Sequence, residues 1–175
     1  MLKNTSETFG SVSRFFHWVL AGLVIVMLAI GFFLDNIGSP LVYQLHKLTG
    51  LFIFCLAVLS ILWQRFNVHP AYPETMPHWH RYLAQSGQYL ILLCVLIMPL
   101  TGWFFSTAGG KAPMLGNLTI AMPFVDLHSE WSKTAKMLHK TVDYVLIGLI
   151  CIHILAAFAH QFYLKDNLMK RMIKD

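Results

Sequence analysis

Four long apolar stretches, Phe15–Leu34, Lys47–Trp63, Gln88–Phe105 and Thr141–Leu164, dominate this chain. A helix crosses a bilayer with about 20 predominantly apolar residues, within a range of about 17–25. All four stretches meet or nearly meet that length. The second is the shortest, and its polar flanks (His46, Lys47, Gln64, Arg65) can reach the interfaces. Only 12% of the 175 residues are charged and 57% are hydrophobic, whereas soluble domains carry about 25% charged residues. The expectation is an all-α integral membrane four-helix bundle, one domain over residues 1–175, with spans near 15–34, 47–65, 88–105 and 139–164. The first stretch follows Lys3 and Arg14 but outruns the apolar core of a signal peptide, about 7–15 residues, and no A-x-A-like site follows it. It is expected to be a retained span.

Charge then predicts orientation. Four spans put both termini on one side, with Lys3, Arg14, Arg65, Arg81, Lys165, Lys170, Arg171 and Lys174. The other side holds Lys47, Lys111, Lys133, Lys136 and Lys140. Short loops rich in Lys and Arg stay inside, so both termini are expected in the cytoplasm. Trp18, Trp63, Trp79, Trp103 and Trp131 lie near segment ends, as interfacial anchors do. Asp35–Leu45 is expected to be a short outer turn and Asn67–Pro77 a proline-rich inner loop. Ser106–His128 is a longer outer segment, and Ser129 is a candidate N-cap for a fourth helix extended outward through SEWSKTAKML.

Within this frame four histidines stand at matched depths. His17 lies at the inner end of span one, and His46 opens span two at the outer face. His139 opens span four, also at the outer face, and His153 lies deeper, toward His17. Ionisable residues at membrane depth are costly and mark functional sites. Fourteen residues separate the last two by about 21 Å and by an angle about 40° short of four full turns, so both imidazoles face one side of the helix. His46 with His139, and His17 with His153, can each clamp one planar cofactor. Zinc gathers four ligands on one centre, which positions about 21 Å apart cannot do. Two histidines on one iron leave no open coordination position, which suits electron transfer. The spacing therefore favours two stacked haems. Without a C-x-x-C-H motif they would be held non-covalently, and Cys55, Cys94 and Cys151 fall within spans as small apolar residues. Gly22, Gly50, Gly148, Ala156 and Ala157 would let a flat macrocycle approach the backbone.

Several motifs resemble the prokaryotic cytochrome b561 family. They are Arg14-Phe-Phe-His17-Trp18, His46-Lys-x-x-Gly50, Pro99-Leu-Thr-Gly102 and the tail His139…His153…His160-x-x-Tyr163-x-Lys165-Asp166-Asn167…Arg171-Met172. The resemblance covers nearly the whole chain. It implies a four-helix membrane protein of the bacterial inner membrane with two non-covalent haem b groups, ligated by His17, His46, His139 and His153. It also implies oxidation of periplasmic superoxide to oxygen, with electrons passed through both haems to ubiquinone. The same pattern serves non-catalytic cytochrome subunits that relay electrons between a periplasmic dehydrogenase or hydrogenase and the quinone pool. Where some members carry histidine near the start of span three, this chain has Gln85 and Gln88.

Other residues have more than one reading. Lys47, Lys133, Lys136 and Lys140 can steer superoxide inward, neutralise haem propionates, or dock an acidic protein. His160, seven residues after His153, is a candidate quinone ligand or an interfacial histidine. Arg14 and Arg65 can pair inner propionates or snorkel to the interface. Asp143 can orient His139, pair with Lys140 or Lys47, or face the outer interface. The histidines His69, His78 and His80 are expected in one loop and His128 in another, with no metal site assigned. The expected partners are the lipid bilayer, a quinone, superoxide and a redox protein, with no nucleic acid. A third reading, a transporter or structural bundle without cofactor, predicts a colourless protein.

Overall fold

The first three apolar stretches lie within helices that outrun them, α1 Ser11–Ile37, α2 Pro40–Arg65 and α3 His78–Ala108, and the fourth runs through α4 Trp131–Phe158 and the turn Ala159–Leu164 that continues it. The computed structural model describes residues 1–73, 76–166 and 168–173. Asn167 of the tail motif and Lys174 of the charge count lie outside the described residues, as do Glu74, Thr75 and Asp175. At about 1.5 Å per residue, helices of 26–31 residues reach about 39–46 Å. That exceeds the hydrocarbon layer of about 30 Å, so their polar ends extend into the interfaces. All four are apolar enough to cross a membrane.

Local chemistry sets the boundaries. The turn between α1 and α2 is two residues, Gly38 and Ser39, not the longer Asp35–Leu45 connection expected from the sequence. Gly38 adopts the left-handed conformation (φ 61°) and its N–H caps the Leu34 carbonyl, while Pro40 begins α2, where its missing N–H costs nothing. Helix α3 begins at His78, directly after Pro77, so His78 and His80 lie in its first turn instead of a loop. Ser129 is not the N-cap of α4. Glu130 holds that position without a side-chain bond, and the Ser129 carbonyl accepts from Ser132 N–H.

Close helix packing follows chain order, α1 on α2, α2 on α3 and α3 on α4. A buried layer from all four helices joins them: Val24, Ile53, Ala57, Cys94, Val95, Val142 and Leu146. The imidazole-bearing positions are whole heptads from this layer. His17, Val24 and Gly31 step by seven along α1, His46 and Ile53 along α2, and His139, Leu146, His153 and His160 along α4. A seven-residue step keeps one helix face nearly constant. Phe32, Phe33, Phe52, Leu59 and Leu155 face outward and exposed, the surface a bilayer covers.

The two ends of the bundle are closed differently. At the tail end, residues 1–10 fold back over the start of α1. Asn4 Oδ1 accepts from Gly10 N–H (2.9 Å) and Ser13 Oγ–H (2.7 Å), and Asn4 Nδ2 donates to the Val68 carbonyl (2.8 Å). Trp63 Nε1 donates to Ser13 Oγ at 3.0 Å, and Trp18 Nε1 to the Met172 carbonyl at 2.8 Å. A side chain at Gly10 would collide with the Leu2 carbonyl and the Lys3 backbone. At the opposite, hairpin end, two short strands, β1 Met114–Leu115 and β2 Leu118–Thr119, pair antiparallel about Gly116 (φ 59°). This hairpin is an addition to the expected helices. Gln44 Oε1 accepts from Met114 N–H (3.2 Å), and Trp103 Nε1 donates to the Ile120 carbonyl (2.8 Å).

Candidate functional site

Helix α4 meets α1 and α2 through two pairs of imidazoles. His17 and His153 face each other at the tail end with ring centroids 6.3 Å apart. His46 and His139 do so at the hairpin end, at 6.5 Å. Rings at such separations leave room for one metal between them, at metal–imidazole bonds of about 2.0–2.1 Å to each. Among the described residues no three His, Cys, Asp or Glu side chains converge on an ion site. Two ligands per centre suit a planar cofactor that supplies its own equatorial ligands, and haem is such a group.

The hairpin-end pair is built into its seat. His139 Nδ1 donates to the Met98 carbonyl at 2.8 Å and lies 3.2 Å from Thr101 Oγ1. Metal-binding histidines characteristically donate their second ring nitrogen to a carbonyl in this way, which fixes the tautomer and leaves Nε2 for the metal. A Cβ on Gly102 would lie 3.1 Å from His139 Cε1, and one on Gly31 3.2 Å from His46 Cε1. These glycines make room for the rings. Pro99-Leu-Thr-Gly102 is thus the seat of His139, and Phe105 closes over the same ring (5.5 Å). Met98 and Thr101 bond the ring, while Asp143 acts on His139 through its charge. Among the described residues His46 Nδ1 is buried without a partner, a polar atom that asks for a ligand from outside the chain. The residues present therefore fit a haem.

At the tail end His17 packs edge-on against Trp18 at 5.1 Å. Among the described residues neither His17 nor His153 makes a side-chain hydrogen bond, so packing alone sets their rings. Arg14 lines an open groove of about 570 Å³ with Phe15, Trp18 and Met172. Arg65 is exposed in the last turn of α2. His160 is bonded through Nδ1 to Asp166, a partner the sequence did not suggest.

The four lysines are not a ring around one histidine pair. Lys133, Lys136 and Lys140 share a depression of about 370 Å³ with Tyr144, on a flank of α4 about 60–120° from His139 by helical phase. Lys47 instead donates to the Lys111 carbonyl at 2.7 Å. His69 and His128 are exposed in loops. Of the small residues expected to admit a macrocycle, Gly22 and Gly148 have open space where a Cβ would stand, and Gly50 has Pro99 Cβ at 4.0 Å.

A sequence model described as prokaryotic cytochrome b561 matches residues 8–175. The chain is 26% identical to "Cytochrome b561 homolog 2" of Escherichia coli K12, over 97% of this chain and 93% of that protein. It is 24% identical to "Cytochrome b561 homolog 1" of the same organism, over 94% of this chain and 96% of that protein. With "Probable superoxide oxidase CybB" of Yersinia pestis it shares 28% identity over 90% of each. Four bilayer-length helices, two pairs of facing imidazoles and a family match over most of the sequence lead to one conclusion: the chain belongs to the prokaryotic cytochrome b561 family, multi-pass membrane haem proteins of electron transfer.

Proposed function

We propose that this chain is a single-domain superoxide:quinone oxidoreductase holding two haems b, one between His46 and His139 and one between His17 and His153. The observation that carries this reading is the pair of facing imidazole sets at 6.3 and 6.5 Å, stacked on one face of α4. The choice of donor is supported by likeness to a protein named a probable superoxide oxidase. His46 with His139, and His17 with His153, would each hold a haem, which would supply a one-electron site when bound. In the balanced reaction two superoxide ions leave as oxygen at the hairpin end, and their two electrons, with two protons, turn ubiquinone into the quinol at the tail end.

The chain's own groups then have defined tasks. Met98, Thr101 and Gly102 hold His139 in one tautomer and position. Lys47, Lys133, Lys136 and Lys140 add positive potential to the hairpin end, which raises the arrival rate of a small anion in a salt-dependent way. Arg14 and Arg65 pair propionates at the tail end, and His160 contacts the quinone. The basic residues at the tail end support a cytoplasmic position for both termini at a bacterial inner membrane.

A second reading is favoured by a specific feature. The hairpin and the loop after it expose Leu115, Leu118, Phe124 and Leu127, apolar surface of the kind that marks protein contacts. It supports a non-catalytic subunit relaying electrons from a periplasmic dehydrogenase or hydrogenase to the quinone pool. One experiment separates the two. Superoxide generated beside the purified protein should reduce both haem bands rapidly, and a ubiquinone analogue should reoxidise them. Absence of rapid reduction by superoxide, with reoxidation by quinone intact, would leave the relay and remove the oxidase.

A further inference from the structure

The last turn of α4 departs from α geometry, and a histidine and an aspartate meet there. Ala159–Leu164 is a π-helical turn ended by Lys165 in the left-handed region (φ 53°). Single π turns concentrate at functional sites. The widened turn brings the chain back on itself. Asp166 N–H donates to the His160 carbonyl at 3.3 Å, and Asp166 Oδ2 takes His160 Nδ1 at 2.5 Å. The second oxygen, Oδ1, accepts from Leu168 N–H at 3.2 Å. Asp166 is therefore held at three points, and the two side chains are only 13% and 17% exposed. Between described residues this is the one ion pair, and His160 Nε2 makes no bond among them.

A carboxylate on Nδ1 decides where the proton sits. Nδ1–H donates to Asp166 whether the ring is neutral or charged, so Nε2 becomes the exchanging nitrogen. We propose that His160 and Asp166 form a proton-delivering dyad, in which Asp166 positions the ring and His160 Nε2 hands a proton to the headgroup oxygen of a quinone. The proposal rests on the reading that the tail end reduces a quinone. In the transfer the Nε2–H bond breaks and an O–H bond forms on the quinone oxygen. The imidazolium becomes a neutral imidazole still donating through Nδ1, and water restores the Nε2 proton. The other quinone oxygen takes its proton from water, so two protons match the two electrons supplied by two superoxide ions.

The test uses the full haem-loaded chain. Histidine ¹⁵N spectra, with His160→Gln to assign the ring, should show His160 Nδ1 protonated, and Asp166→Asn should release the ring to the Nε2–H tautomer. In quinone reduction Asp166→Asn should lower kcat about 100-fold with little change in KM. Asp166→Glu should recover most of that loss, and adding His160→Gln to Asp166→Asn should cost nothing further. Haem content and reduction by dithionite should match the parent chain throughout. A parent His160 in the Nε2–H tautomer, or Asp166→Asn turning over quinone at the parent rate, overturns the dyad. A parent chain that reduces no quinone while its His160 spectrum is as expected overturns the quinone acceptor and leaves the Asp166 lock standing.

Discussion

The two ends of the bundle present the same pair of side chains and support them in opposite ways. At the hairpin end His139 is fixed by a carbonyl, a hydroxyl and a glycine from α3. At the tail end His17 and His153 rely on packing, while the polar bonds go to tying the chain's extremities onto the helix ends through Asn4, Ser13 and Trp63. One end fixes the imidazole and the other fixes the scaffold around it. Order within a site can thus be built from neighbouring residues or inherited from the fold.

Removing a ligand tests this contrast most severely. His139→Ala should eliminate the hairpin-end haem and His153→Ala the tail-end one, each halving haem per chain and sparing the other spectrum. Loss of both haems from either variant would break the idea of two independent seats. Next in size is Gly102→Val, which puts two methyl groups where His139 Cε1 already lies 3.1 Å from a Cβ position. It should weaken haem retention at the hairpin end about 10- to 100-fold, measured by haem transfer to an acceptor protein. Gly22→Val, made into open space, should change neither end. A smaller loss is expected at the tail end. Asn4→Ala strands buried donors, should destabilise the fold by about 1–3 kcal/mol, and should lower the melting temperature without changing haem stoichiometry. The smallest effect belongs to Thr101→Val. The Met98 carbonyl still holds His139 there, so a shift of a few tens of millivolts in the hairpin-end couple, seen by redox titration, is expected (about 59 mV per tenfold in affinity for a one-electron couple).

How much of this was legible in the sequence depends on what kind of signal each residue leaves. Apolar length announced four helices, and the heptad spacing of His139 and His153 announced a shared face. Both are periodic signals that survive without coordinates. The start of α3 left none, because HWHRYLAQSGQ is polar and only Pro77 marks the boundary. The hairpin strands are two residues each, too short to show alternation. Gly31 and Gly102 matter for what they lack, and a glycine in a membrane helix looks like any other until a ring is found against it. Asp166 was hidden for a geometric reason. Six residues along an α-helix is about 600°, which would put it about 120° away from His160. Only the π turn and the left-handed Lys165 bring it back.

The central claim, two facing imidazole pairs each holding a haem, is tested most directly by counting haem against chain in the purified protein and recording its low-temperature electron paramagnetic resonance spectrum. The account predicts two haems b per chain, both with low-spin iron ligated by two histidines. One haem per chain, or a high-spin iron with an open coordination position, would contradict it.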